Sequence, residues 1–254
     1  MDTIPRSKSN NKICFVSTLF GDTAKTLKKL EPFGKKFEKN EDCDYLFFTD
    51  IPKDDIPHTS WDIINVKLES FGGMHKVKVS RIFKFQLHKV FEQMGRNYDI
   101  VYYCDSFLYP TFQNDWNKLF DNYNVELPII QYRHPLESSI NAECDLNLKV
   151  KKEKKAAIME TLKYLQKLDE SVDLNQKFAY CENTTIGFKI SDKNVQKFLD
   201  DFWKIYTEIP SFRDQPPWNY MYLSRKMQPI INNEFRERFK GKKNVCRNVT
   251  DYYS

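Results

Sequence analysis

The sequence predicts a single α/β domain in which a mostly parallel central sheet is flanked by helices. Three observations predict it. Short β-rich apolar runs alternate with segments of helical periodicity through the first half of the chain. Three of those runs end abruptly at polar turn residues, Gly21-Asp22, Asp50 and Asp105. No internal repeat and no Pro/Gly/Ser-rich linker divides the 254 residues.

The elements follow in order. Residues 1–11 are polar and predict a disordered tail. ICFVSTLF at 13–20 reads as a buried strand, and residues 25–37 as a helix interrupted near Pro32. YLFFT at 45–49 and WDIINV at 61–66 read as the second and third strands. Phe83, Leu87, Val90, Phe91 and Met94 recur at helical spacing and predict one helix that stops at Gly95. Arg81, Lys84 and His88 share another face of it. DIVYYC at 99–104 is a fourth strand and PIIQY at 128–132 a fifth. A helix is predicted over 151–168, with Ile158, Leu162, Leu165 and Leu168 on its apolar side. A strand around TTIGFKI follows, then helices through Val195–Tyr206 and over 219–227. Residues 231–254 read as a basic, peripheral extension.

Composition narrows the function classes. With 41 % hydrophobic and 15 % aromatic residues, material for a core is ample. Only 7 glycines occur, and neither GxGxxG nor GxxxxGK[ST] is present, which removes the best support for a dinucleotide or P-loop site. No GxSxG or HExxH motif marks a serine hydrolase or zinc peptidase. The formal charge of +5 suits an anionic partner. Six cysteines without a CxxC pair predict a reduced, cytoplasmic protein. The polar start has no signal core, and no run reaches the roughly 18–20 apolar residues of a membrane span. The abundance of Lys, Asn and Ile suggests an AT-rich genome, viral or bacterial.

In parallel α/β sheets, ligands bind beyond the carboxyl ends of the strands. That rule singles out Thr18 to Asp22, Asp50 and Asp105. A carboxylate ending a run as apolar as VYYC is costly to bury unless it meets a cation or strong donors. Asp105 is therefore the leading candidate, either as a ligand for a divalent cation or as a turn cap. Arg133 and His134 end the fifth strand, and Glu143 follows eight residues after Pro135. Glu182 precedes the TTIGFKI strand, and Arg213-Asp214-Gln215 lead into the helix carrying Asn219.

In this order, YDIVYYCDS, RHP with Glu143, and FRDQPPWNY resemble the TOD/MUCI hexosyltransferase-like group of GT-A glycosyltransferases. The resemblance covers residues 12–228. It implies a GT-A-like domain over 12–230, with a nucleotide-sugar-binding half (12–110) and an acceptor half (111–230). It implies a UDP- or GDP-linked sugar donor, a glycan or glycoprotein acceptor, and no specific nucleic acid. Thr18, Phe20, Asp50, Arg81, Lys84, Asp105, Ser106 and Gln215 would hold the donor. Arg133, His134, Glu143, Arg213, Trp218 and Asn219 would face the acceptor or phosphates. Asp214, then Glu182, would be the base that takes the acceptor proton. Most GT-A enzymes end this strand in Asp-x-Asp, but here the sequence is Asp105-Ser106-Phe107. With one carboxylate left, either the reaction does without a metal, or a Mn²⁺ or Mg²⁺ ion rests on Asp105 and a substitute ligand such as His134. The competing readings are a metal-dependent phosphoesterase or nuclease and a non-catalytic nucleic-acid-binding module.

Overall fold

Strands that are apolar along their whole length must be covered on both faces, and the sheet meets that demand. The structure, a computed structural model, describes residues 11–34, 36–121, 123–135 and 138–241. The tail expected over 1–11 lies outside them except for its last residue, as does most of the extension. The strands are β1 (Ile13–Leu19), β2 (Cys43–Thr49), β3 (Asp62–Asn65), β4 (Ile100–Cys104), β5 (Tyr109–Pro110), β6 (Ile129–Gln131), β7 (Thr185–Phe188), β8 (Ile230–Ile231) and β9 (Phe239–Lys240). Seven form one sheet in the order β3-β2-β1-β4-β7-β6-β8. Only β7 runs against its neighbours; the other six are parallel. β5 and β9 pair separately.

Alternation along the strands divides the core in two. Val16, Phe48 and Tyr103 face one side, with Phe83, Phe85, Phe202 and Trp218 from the helices. Phe15, Tyr45 and Tyr102 face the other, with Trp116 and Phe235. Gly187 in β7 makes room for Tyr102, because a Cβ there would lie 2.9 Å from its ring.

The helices are α1 (Ala24–Leu27), α2 (Lys76–Phe85), α3 (Leu87–Gln93), α4 (Ile140–Lys149), α5 (Lys155–Leu168), α6 (Lys193–Glu208) and α7 (Gln215–Arg225). Several differ from the sequence expectation. The helix expected over 25–37 is a single turn, α1, followed by turns to Gly34 at φ +94°. The helix expected through 83–94 is two. Gln86 leaves helical geometry at φ −115°, ψ 28° and its amide donates to the Leu199 carbonyl of α6 at 3.0 Å. The helix expected from 151 begins at Lys155, after a turn with Lys151 at φ 54°, and Leu168 is exposed. α4 was not anticipated; Ser139 caps it by accepting from the Ala142 N–H at 3.2 Å. With α5 and α7, α4 encloses a third cluster of Ile140, Cys144, Ile158, Leu165, Tyr180 and Tyr220.

The C-terminal segment is not peripheral where it is described. β8 adds to the sheet edge, and Phe235 and Phe239 are buried against Tyr102 and Trp116, at ring-centroid distances of 6.0 and 5.4 Å. Among the described residues, no helix is long and apolar enough to cross a membrane, and the five described cysteines are unpaired.

Parallel strands send their carboxyl ends to one side. Thr18 to Gly21, Asp50, Asp105 and Tyr132 to His134 therefore open on the same face of the sheet. α7 leads into β8, so the N-terminus of α7, at Asp214, opens there too.

Candidate functional site

Asp105 occupies the first position after β4, where its N–H donates to the Thr184 carbonyl at 2.9 Å. The Tyr103 hydroxyl donates to its Oδ1 at 2.9 Å. Tyr103 is buried, and burial together with the Asp105 charge pushes its pKa well up, so it remains a neutral donor. Its hydroxyl also lies within hydrogen-bonding reach of Thr18, tying the ends of β1 and β4 together.

Two cations on α2 face this end of the sheet. Lys84 Nζ lies 2.8 Å and Arg81 Nε 3.2 Å from Asp214 Oδ2. The Asp105 charge reaches both as well. Lys84 is only 2 % exposed, with its ammonium 4.8 Å from the centre of the Tyr103 ring. Burial alone would raise the Asp214 pKa, but Arg81 and Lys84 outweigh it and pull the carboxyl down to about 2. Burial lowers the Lys84 pKa despite its partner. The RDQ segment and α2 are thus joined through one carboxylate, within electrostatic range of Asp105.

A second set of charges adjoins the first. Glu143, on α4, is 3 % exposed; it accepts from Asn147 Nδ2 at 2.9 Å, with Arg213 Nη2 at 4.0 Å and His134 Nε2 at 3.8 Å. Burial raises its pKa against these partners. The His134 N–H donates to the Tyr180 carbonyl at 2.7 Å, and Arg133, exposed, bridges to Cys181. Glu182 accepts from the Thr184 hydroxyl and sits beside the Tyr132 hydroxyl. At the β1 end, Asp50 is committed to the Gly21 N–H, at 2.9 and 3.1 Å. The cleft lined by His88, Arg96, Tyr98 and Lys193 lies at the amino end of β4, away from this mouth, and contains none of these residues.

Thr18, Asp50, Asp105 and its neighbour Ser106, Arg81, Arg213, Asp214, Glu143, His134 and Glu182 thus belong to the carboxyl-end face or to its charge network. Other expectations need correction. Phe20 is 5 % exposed and stacks on Phe83 at 5.2 Å, so it is core and offers the donor no face. Lys84, expected to hold the donor, is buried and paired with Asp214, and the break at Gln86 sends His88 to Asp200, at 3.0 Å, and off the face it was expected to share with Arg81 and Lys84. Trp218 is fully buried and donates to Gln131 Oε1 at 2.9 Å, so it lines no acceptor cleft. Asn219, also fully buried, spends its side chain on the Cys181 N–H and carbonyl, at 2.7 and 2.9 Å. Gln215 is 6 % exposed, too buried for broad donor contact, and its Nε2 is enclosed without a partner.

Sequence reasoning missed Tyr103, Tyr132, Glu153 and Arg236. Glu153 is buried; its Oε2 accepts from Ser211 Oγ at 3.0 Å and the Phe212 N–H at 2.9 Å, which fixes the loop carrying Arg213 and Asp214. A lone glutamate in a lysine-rich run gave no such signal.

Among the described residues, no group of three or more His, Cys, Asp and Glu side chains is placed to hold a metal ion. Asp105 accepts from the Tyr103 phenol, and His134 faces Glu143. The donor set does not fit a divalent cation held by the protein on Asp105 and His134. No family model matches the chain, and no curated protein matches it.

Proposed function

We propose that the chain is a glycosyltransferase that moves a sugar from a nucleoside-diphosphate donor to a hydroxyl of a glycan or glycoprotein. One observation carries the reading. A lone strand-end carboxylate, Asp105, shares its electrostatic field with Arg81 and Lys84, and those cations hold the aspartate of the RDQ segment. The resemblance of YDIVYYCDS, RHP and FRDQPPWNY to the TOD/MUCI-like GT-A enzymes supports the same reading from sequence.

The chemistry assigns each group a task. The bond between sugar C1 and the diphosphate oxygen breaks, and its electron pair stays with the diphosphate. A bond from the acceptor oxygen to C1 forms, and the acceptor proton leaves. Asp214 is a weak base at neutral pH because two cations hold its carboxyl at about 2. Its task is to fix Arg81 and Lys84 at this end of the sheet. Glu182, partly exposed beside Thr184 and Tyr132, is the better proton acceptor for an inverting reaction. Asp105 orients the donor, and positive charge beside the diphosphate stabilises the leaving group as its charge grows.

A two-metal phosphoesterase needs clustered carboxylates, and among the described residues no such cluster forms. The test is release of nucleoside diphosphate from a panel of UDP- and GDP-sugars, with and without glycan acceptors. Release that rises with an acceptor supports the reading; a panel that yields none overturns it.

A further inference from the structure

A departing diphosphate needs compensating positive charge, from a metal ion or from fixed side chains. The candidate mouth lacks the clustered ligands for the first, and its topology supplies the second from an unexpected direction. β8 runs parallel to β6, so the chain leaves β8 on the side where β4 and β6 end. The Asn232 N–H donates to the Gln131 carbonyl at 2.9 Å as it departs. A 3-10 turn, Phe235–Arg238, follows, pinned below by the buried Phe235 and Phe239. This holds Arg236 over the ends of β4 and β6, where its charge reaches the Cys104 thiol and the Tyr132 hydroxyl.

Arg236 is underused for a partly buried cation. Its Nη1 donates to the Phe239 carbonyl at 3.0 Å, yet its Nε is enclosed and unpartnered, and among the described residues no carboxylate forms an ion pair with it. Arg238, two residues on, is the contrast: it is bound in bidentate fashion to Asp115, at 2.6 and 3.1 Å. Arg213 shares the enclosed, unpartnered Nε, while its Nη2 makes a long ion pair with Glu143 at 4.0 Å. A buried N–H without an acceptor is costly. Two guanidinium groups left this way, Arg236 by Tyr132 at the end of β6 and Arg213 by the Glu143 that faces His134, are suited to an anion with several oxygens.

We propose that Arg213 and Arg236, together with Arg81, bind the diphosphate of the donor directly, so that donor binding requires no divalent cation. This rests on the donor-binding reading above. Guanidinium N–H groups donate to the diphosphate oxygens in the bound donor, and the same groups stabilise the negative charge that grows on the oxygen as it keeps the electron pair of its breaking bond to C1.

The test is isothermal titration calorimetry of the full chain with UDP, GDP, ADP and CDP, first in EDTA and then with added MnCl2 or MgCl2. At least one nucleotide is expected to bind in EDTA, with a Kd within about threefold of its value with metal. Arg236→Ala and Arg236→Lys are each expected to weaken binding about tenfold or more, since a charge-assisted hydrogen bond is lost or misaligned. The Lys variant keeps the charge and guards against misfolding in the Ala variant. Arg238→Ala, at a residue occupied by Asp115, is expected to leave affinity unchanged. A tenfold or greater gain in affinity on adding metal, or unaltered binding in both Arg236 variants, overturns the proposal and leaves the donor reading standing. Failure of all four nucleotides to bind under either condition overturns the donor reading and the proposal with it.

Discussion

Replacing Asp214 by Asn tests the charge network at its centre. The substitution keeps the shape and removes the only carboxylate within ion-pair distance of Lys84 among the described residues. Lys84 is 2 % exposed, so its ammonium would be left buried with only the more distant charge of Asp105 to offset it. Two estimates bracket the cost. Depression of the Asp214 carboxyl from 3.8 to about 2 corresponds to about 2 kcal/mol. Removing one partner of a buried pair typically costs about 3–5 kcal/mol. For a chain of this size the loss amounts to roughly 4–20 °C in Tm. Urea denaturation of the wild type, Asp214→Asn, Lys84→Met and the double variant measures it, and the cycle isolates the coupling. The sign of the pH dependence follows from the shifts. A depressed carboxyl stabilises fully above its ordinary 3.8, and that contribution is lost as pH falls through about 2. Wild type and variant therefore converge in acid. Burial lowers the Lys84 pKa, so the variant regains stability as pH rises from that lowered value through 10.5, above which the lysine is neutral in both states. A loss below about 1 kcal/mol, or no coupling in the cycle, would refute the account of this network.

Two further predictions concern the supports of the site. Glu153→Gln should destabilise by about 1.5–3 kcal/mol in urea, because an amide nitrogen replaces one carboxylate oxygen facing N–H and O–H donors; an unchanged midpoint would remove its role in holding the 211–214 loop. Asn219→Ala should cost about 2–4 kcal/mol, since the Cys181 N–H and carbonyl lose buried partners together, and a Tm equal to wild type would contradict that.

The sheet was legible because β1, β2 and β4 carry unbroken apolar runs, which only a doubly covered strand tolerates. Asp105, Asp50 and Thr18 were legible because a polar residue ending such a run must face the open side. α4 was hidden by its composition. Its buried positions, Ile140, Glu143, Cys144 and Asn147, keep the helical spacing, but two of the four are polar. The split at Gln86 carried no Gly or Pro, and what marks it in the structure is a hydrogen bond to a residue 113 positions away. Separation also concealed the partner of Asp214, since Lys84 lies 130 positions off. Arg236 depended on a two-residue strand, β8, too short to declare itself by periodicity. Trp218 and Asn219 misled because their side chains look suited to a sugar, whereas both satisfy buried groups within the fold.

The central claim is that Asp105 marks the donor site, and the direct measurement is nucleoside-diphosphate release by Asp105→Asn beside the wild type, with Tm recorded for both. The account predicts equal folding and a drop in release of about 100-fold or more for whichever donor the wild type accepts. Equal release by the two proteins would contradict it.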